Sequence, residues 1–346
     1  MTNAIIHIGA GKCGSSALQT VLSQDFKFEG GGNGLVEYAA VRPDGLLLSG
    51  EGMLKLAASN PYGYCSSVNA AEIASLSRSK RKVLAKRLSG VCGSSGCVVL
   101  SNEGWINESE LFKSSDVLQS LKLKCHAVCY VRPPVEWINS AWWQWGAWTG
   151  APFPRWLNGN LMHVRWFEKI EKWQDVKGVE KLTVRLLPKD IVSDFCGVLG
   201  VRSPQENRSN VSLPASVLRL YQRHRYLRPD PHSSAIDFVL ARYLNGGVND
   251  PTPWVLGPKV IERIIEKTRQ SNLRLLTLLD ENSKAKIKED PRWWDPTAFS
   301  FRQKEPPMAK KVNPEKLEAI AVQALRAIWE LDQENRQLRQ KIDAQL

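Results

Sequence analysis

The stretch that constrains the fold most is IIHIGAGKCGSSALQTVL, residues 5–22. Residues 4–8 are apolar and mostly β-branched, with His7 the one polar member, which predicts a short buried strand. A glycine-rich turn follows, Gly9-Ala10-Gly11-Lys12-Cys13-Gly14. From Ser15 onward, Ala17, Leu18, Val21 and Leu22 recur on one side of a helix. A strand running through a glycine turn into a helix opens a βαβ unit, so a parallel sheet covered by helices is expected. The turn also carries chemistry. Glycines let the backbone approach an anion, and the unpaired amides of the helix's first turn point at it.

Three further buried strands fit this plan, at residues 96–101 (GCVVLS), 124–131 (KCHAVCYV) and 182–187 (LTVRLL). Helical patterns cover 70–88, begin again near 135, and cover 190–199, where Gly200 takes the usual C-terminal glycine position. Residues 29–34 (EGGGNG) read as a turn-rich connection. Beyond residue 212 the pattern is helical, at 213–226, 235–244 and 259–279. The expected fold class is therefore α/β: a central parallel sheet flanked by helices, with a helical C-terminal extension and a terminal amphipathic helix. One domain is expected over 1–290, with its core at 4–215 and a helical part at 216–290. Residues 291–312, rich in proline and charge, are expected as a linker before the final helix at 313–346.

That final helix carries a heptad. Ala321, Ile328, Asn335 and Ile342 share one core position, and Leu317, Ala324, Leu331, Leu338 and Gln345 share the other. One asparagine among leucines and isoleucines is a register device of parallel two-stranded coiled coils, so a homodimer through residues 317–346 is one expectation. A helix packed on its own domain is the alternative.

The formal net charge of +12 favours an anionic partner. The basic residues are scattered, and the densest run, residues 77–87 (SRSKRKVLAKR), reads as a solvated helix face. No nucleic-acid-binding signature accompanies it, so no nucleic-acid partner is expected. No basic segment leads into a long apolar one, and no window reaches the ~18 apolar residues of a membrane span. Seven cysteines form no metal or redox spacing. A cytoplasmic chain with reduced thiols and no metal is the expectation, with no transmembrane segment and with peripheral membrane contact left open.

A Walker loop sets four residues between two glycines, then lysine, then serine or threonine. Gly9 and Gly14 have that spacing, but Ser15 stands where the lysine belongs, and the lysine is Lys12. The backbone cradle survives; the linkage of lysine to a γ-phosphate and of hydroxyl to Mg²⁺ does not. The order Lys12-Cys13-Gly14-Ser15-Ser16 after His7-Ile8-Gly9 resembles the 5′-phosphosulfate loop of sulfotransferases that use 3′-phosphoadenosine 5′-phosphosulfate. Cys13 departs from that pattern, where serine or threonine is frequent. A second motif is implied by the resemblance: a strand-ending arginine with a serine eight residues on, both on the 3′-phosphate. CYVRPPVEWINSAWWQ supplies Arg132 and Ser140. An arginine fork suits phosphate oxygens, and eight residues return a helix to nearly the same side. A looser match, VRSPQENRSNVSLP, offers Arg208, Asn210 and Ser212 near the nucleotide.

The resemblance implies a P-loop-like sulfotransferase fold and in-line transfer of a sulfuryl group to a hydroxyl or amine. The donor would be the phosphosulfate, the product adenosine 3′,5′-bisphosphate, and no metal would be required. It implies Gly11, Lys12, Cys13, Gly14, Ser15, Ser16, Arg132, Ser140, Arg208 and Asn210 as nucleotide contacts, with Lys12 also catalytic. The base is expected at Glu103, just after the 96–101 strand. Glu37 is the runner-up, Glu29 and Glu51 are weaker, and His7 is expected beside the phosphates. Six tryptophans between 137 and 156 are expected to be mostly core, with at least one stacking on an acceptor, a small molecule or glycan. A P-loop kinase and a non-catalytic glycan- or nucleic-acid-binding protein on the same scaffold remain the competing readings.

Overall fold

In a computed structural model, residues 1–30, 34–91, 93, 96–203, 213–243, 250–308 and 313–343 are described. The strands are β1 (Thr2–His7), β2 (Lys27–Gly30), β3 (Gly34–Tyr38), β4 (Ala40–Val41), β5 (Leu47–Leu48), β6 (Cys97–Ser101), β7 (Leu123–Val131) and β8 (Val179–Leu186). Six of them form one sheet in the order β2-β3-β6-β1-β7-β8, and β4 and β5 make a small antiparallel pair. All neighbours in the main sheet are parallel except β2 and β3. The fold is α/β, with a mostly parallel sheet flanked by helices and a C-terminal helix.

The central strands are apolar because both their faces are covered. Ile6, Val98, Val99, Ala127, Val128 and Val131 are fully or almost fully buried. The register sets His7 level with Ser101 on β6 and Val128 on β7. The chain passes from β6 on one side of β1 to β7 on the other, so the carboxyl end of β1 lies at a crevice of the kind that binds ligands in open α/β sheets.

Several local expectations change. Of the stretch expected as a turn-rich connection, Glu29 and Gly30 end β2 and Gly34 opens β3, paired antiparallel with Gly30 opposite Gly34, while 31–33 lie outside the described residues. The helix expected over 70–88 is two helices, Ala70–Ser75 and Arg78–Val91. The first opens with a capping box between Asn69 and Glu72 and stops where Leu76 turns extended. The helix Ile191–Leu199 is capped by Asp190, whose carboxylate accepts from the Val192 and Ser193 amides, and ends at left-handed Gly200. The stretch expected as a linker begins with two 3₁₀ turns that bury Trp293 and Phe299.

The chain divides into two compact units. One comprises 1–141, 157–210 and 257–301 and contains the main sheet; the other comprises 142–156, 211–256 and 302–346. Within the second unit Trp142, Trp143, Trp148, Trp156 and Trp254 are core, while Trp145 is half-buried and Trp329 exposed. The Trp143 indole donates to the Pro253 carbonyl at 2.7 Å, under the Arg219 guanidinium. Trp148 is covered by Arg225 and Arg228. Arg228 is itself buried, paired with Asp237 and donating to the Gln144 carbonyl. Trp142 and Trp156 close over Gly146, where a Cβ would collide with both rings. Five of the six tryptophans in 137–156 are thus buried, and these rings present no face for a sugar to stack on.

Candidate functional site

The site is built on the β1-to-helix turn. No side chain caps the helix Ser15–Gln24, so its first-turn amides face the turn without an intramolecular partner for an anion to displace. Gly14 is left-handed at φ 88°. Lys12 is left-handed too, at φ 63°, a conformation that costs a non-glycine residue roughly 1–2 kcal/mol. Something must hold it there. The Cys13 amide donates back to the Ala10 carbonyl at 3.0 Å. From the β7 side, Arg132 Nη1 donates to the Lys12 carbonyl at 3.2 Å and the Trp137 indole donates to the Gly11 carbonyl at 2.7 Å. The loop is therefore clamped by two residues more than a hundred positions away in sequence.

Close packing fixes the other side. A Cβ on Gly9 would lie 2.6 Å from Ser15 Oγ, 2.9 Å from His7 Cε1 and 3.3 Å from the Glu103 Cα. Glycine is required there because the Ser15 hydroxyl and the His7 ring both lie under 3 Å from that position, with the Glu103 backbone next nearest. His7 is wholly buried beneath it, with Nδ1 2.8 Å from Ser101 Oγ and Nε2 unpartnered. Burial holds the imidazole pKa down at about 4, so the ring is neutral.

Cys13 reports how charge is arranged around the loop. Burial pushes its thiol up to about 12, and four charged side chains act on it as well: Arg132, Lys169 and Lys12 pull it down, and Glu103 pushes it up. Three cations and one carboxylate therefore converge on one buried sulfur. Glu103 is half-buried, and burial raises its pKa against the opposing pull of Lys12. A carboxylate so placed is a stronger base than a free one and is a candidate to accept a proton.

The other sequence-derived candidates are distributed unevenly. Ser16 is hydrogen-bonded to the Tyr64 phenol. Ser140 is half-buried in the helix Pro134–Gln144. Glu37 is not brought to the loop: it pairs in register with Val98, three rows before the end of β6, about 10 Å down the sheet. There it meets Lys27 at 3.9 Å. Glu51 is exposed at the start of the helix Gly50–Ser59. Arg208, Asn210 and Ser212 lie outside the described residues. Part of the Arg132 fork is committed within the protein, with Nη2 on Glu136 at 3.1 Å and Nε buried without a partner.

Three residues at the site were missed in the sequence. Tyr64 sits between Ser16 and Glu103, its phenol pushed up to about 12, mainly by burial. Lys169 Nζ lies 3.2 Å from His163 Nδ1, and the His163 ring is 6.4 Å from that of Trp137. Lone residues in irregular or short helical segments carry no periodic or motif signal, so their position depends on tertiary packing.

No family model matches this chain, and no curated protein matches it by sequence. Solved structures do match. One of them is a sulfotransferase from Alicyclobacillus acidocaldarius, 14% identical, with a TM-score of 0.43, covering 82% of this chain and 99% of that one. The arrangement offers first-turn amides, a lysine at the tip of the loop, two further cations and one carboxylate of raised pKa. It can hold a multiply charged oxyanion and accept a proton beside it.

Proposed function

We propose that the chain is a sulfotransferase, moving a sulfuryl group from 3′-phosphoadenosine 5′-phosphosulfate to a hydroxyl or amine of an acceptor, a saccharide or glycoconjugate. The uncapped glycine loop, with Arg132 and Trp137 bonded to its carbonyls and the Glu103 backbone close to Gly9, carries this reading. The residues fit such a donor: the loop comes within contact of Glu103, and a Cβ at Gly9 would fill the space. Lys12 and the amides of Ser15 and Ser16 would hold the 5′-phosphosulfate. Arg132 would keep the loop in shape and offer its Nε edge, and Ser140 would join it at the 3′-phosphate. Glu103 would take the acceptor's proton while the acceptor oxygen or nitrogen bonds to sulfur and the bond from sulfur to the 5′-phosphate oxygen breaks. Lys12 would balance the charge left on that oxygen. Glu103 is favoured over Glu37 because of the β3–β6 register.

Calorimetry on the purified chain tests the reading. Adenosine 3′,5′-bisphosphate should bind without added metal and more tightly than ATP. Binding of ATP in preference to the bisphosphate would overturn it. Screening saccharide acceptors with labelled phosphosulfate then identifies the second substrate.

A further inference from the structure

Lys169 has no structural use for its charge. Among the described residues no carboxylate lies within ion-pair distance of it. Glu168, its neighbour in the helix Trp166–Ile170, is taken by Arg165 at 2.9 Å and by the Ser271 hydroxyl at 2.6 Å. Glu171 is paired with Arg274, and Glu103 feels Lys12. The nearest polar partner of Lys169 is His163 Nδ1 at 3.2 Å. Burial, reinforced by Lys169, holds that imidazole neutral, so its lone pair can accept from the ammonium. The His163 ring neighbours Trp137, whose indole N–H holds the Gly11 carbonyl. The ammonium is thus oriented by a short relay that ends on the loop, and its charge reaches Cys13.

We propose that Lys169 is a direct cationic contact for the oxyanion seated at the loop, with His163 as the residue that positions it. The ligand class is a sulfate or phosphate ester; its naming as the phosphosulfate donor rests on the sulfotransferase reading, but the contact itself does not. Burial lowers the Lys169 pKa to about 8. The ammonium's contribution to anion binding is therefore complete below that pH and is lost as pH rises through it. Both phosphates of the bisphosphate are doubly ionised well below pH 8, so ligand charge is constant over that range.

The test is calorimetry from pH 7 to 9.5 on wild type, Lys169→Met and Lys169→Arg, with adenosine 3′,5′-bisphosphate and separately with inorganic pyrophosphate. Lys169→Met should weaken binding at pH 7 about tenfold or more. Wild-type affinity should fall across the range, and Lys169→Arg should hold it flat, a signature that a purely structural lysine would not give. Lys169→Met binding as tightly as wild type, or Lys169→Arg following the wild-type pH slope, overturns the proposal. If wild type binds pyrophosphate but not the bisphosphate, the sulfotransferase reading fails, and the loss of pyrophosphate affinity in Lys169→Met at pH 7 alone decides Lys169.

A second inference rests on the helix Pro314–Asp343. Ile320 and Ala327 are its buried positions, and everything from Ile328 to Asp343 is exposed. On that stretch Ile328, Leu331, Leu338 and Ile342 form an unpartnered seam with Asn335 at its centre. Isoleucine at the first core position with leucine at the second favours two parallel strands, and a lone asparagine fixes register. Parallel pairing also sets Glu334 of one chain against Arg339 of the other, opposite in charge. The geometry points to a second copy of this chain as the occupant. Sedimentation analysis of the full chain should give a dimer, and Leu331→Glu combined with Leu338→Glu should give a monomer that still binds ligand. A monomeric wild type at about 100 μM, or a double variant with unchanged mass, overturns it.

Discussion

Two clusters of basic residues stand at the carboxyl end of the same sheet, and they are built differently. Around the loop, Lys12, Arg132 and Lys169 all act on the buried Cys13, and of these Arg132 is ion-paired, with Glu136 at 3.1 Å. At the ends of β7 and β8, a cavity of ≈ 450 Å³ is lined by Arg185 and Arg292 together with Asp194 and Asp290. There every guanidinium is matched. Arg185 holds Asp194 in a fork at 2.6 and 2.5 Å, and Arg292 meets Asp290 at 2.7 Å and Glu136 at 3.0 Å. Glu136 links the two clusters, since its other oxygen takes Arg132. A matched arginine has its field cancelled and serves packing; a lysine such as Lys169, with no ion-pair partner among the described residues, has its field left for a ligand. The difference in pairing, rather than the number of basic residues, distinguishes an anion site from a scaffold.

Removing a cation of the loop should have the largest effect. Lys12→Gly deletes the loop's ammonium and also the left-handed penalty at φ 63°. Sulfuryl transfer should fall by at least about a hundredfold, while stability to thermal unfolding changes by less than about 1 kcal/mol. Transfer within a factor of three of wild type would dissolve the contrast between the clusters. Glu103→Gln should come next, with about a hundredfold loss of kcat. Wild-type kcat/KM should fall as pH drops through the raised pKa of Glu103, and the variant should lack that acid limb. A variant keeping both rate and limb would return the base to an open question. Trp137→Phe keeps the ring in its packing against Trp166 and removes the clamp on Gly11. Bisphosphate affinity should drop about threefold to tenfold, in line with one lost neutral hydrogen bond.

Much of this was legible in the sequence, for identifiable reasons. The buried strands β1, β6 and β7 appear as uninterrupted apolar runs, and the glycine turn requires a strand before it and a helix after it. Arg132 could be tied to the loop through its eight-residue spacing from Ser140, which the resemblance implies, although its observed bond is to a carbonyl of the loop itself. The β2–β3 hairpin left little trace, because its strands are short and lie beside glycines. Glu37 illustrates a subtler limit. Its distance in sequence from Lys12 matched a base position, but register, which sequence spacing does not encode, sets it three rows down the sheet. Lys169 and His163 were invisible because a side chain's lack of a counter-ion becomes apparent after the chain has folded.

The smallest functional effect is expected at the matched cluster, and it sharpens the comparison most. Asp194→Asn leaves the side chain's shape, and an oxygen to accept from the Tyr130 hydroxyl, but removes the charge and the second oxygen that answer the Arg185 fork. The pair is partly exposed, at 33% and 18%, so solvent screens it and the loss of stability should be modest, about 1–2 kcal/mol. Arg185 then carries an uncancelled charge at the edge of the cavity. If pairing is what separates scaffold from anion site, the variant should lose a few degrees of Tm and acquire a weak affinity for pyrophosphate there, absent in wild type. That affinity should persist when Lys12 is also changed to glycine, because it arises at a different cluster. An Asp194→Asn protein whose anion binding disappears entirely in the double variant would mean that both clusters serve one site, and the comparison would have to be redrawn.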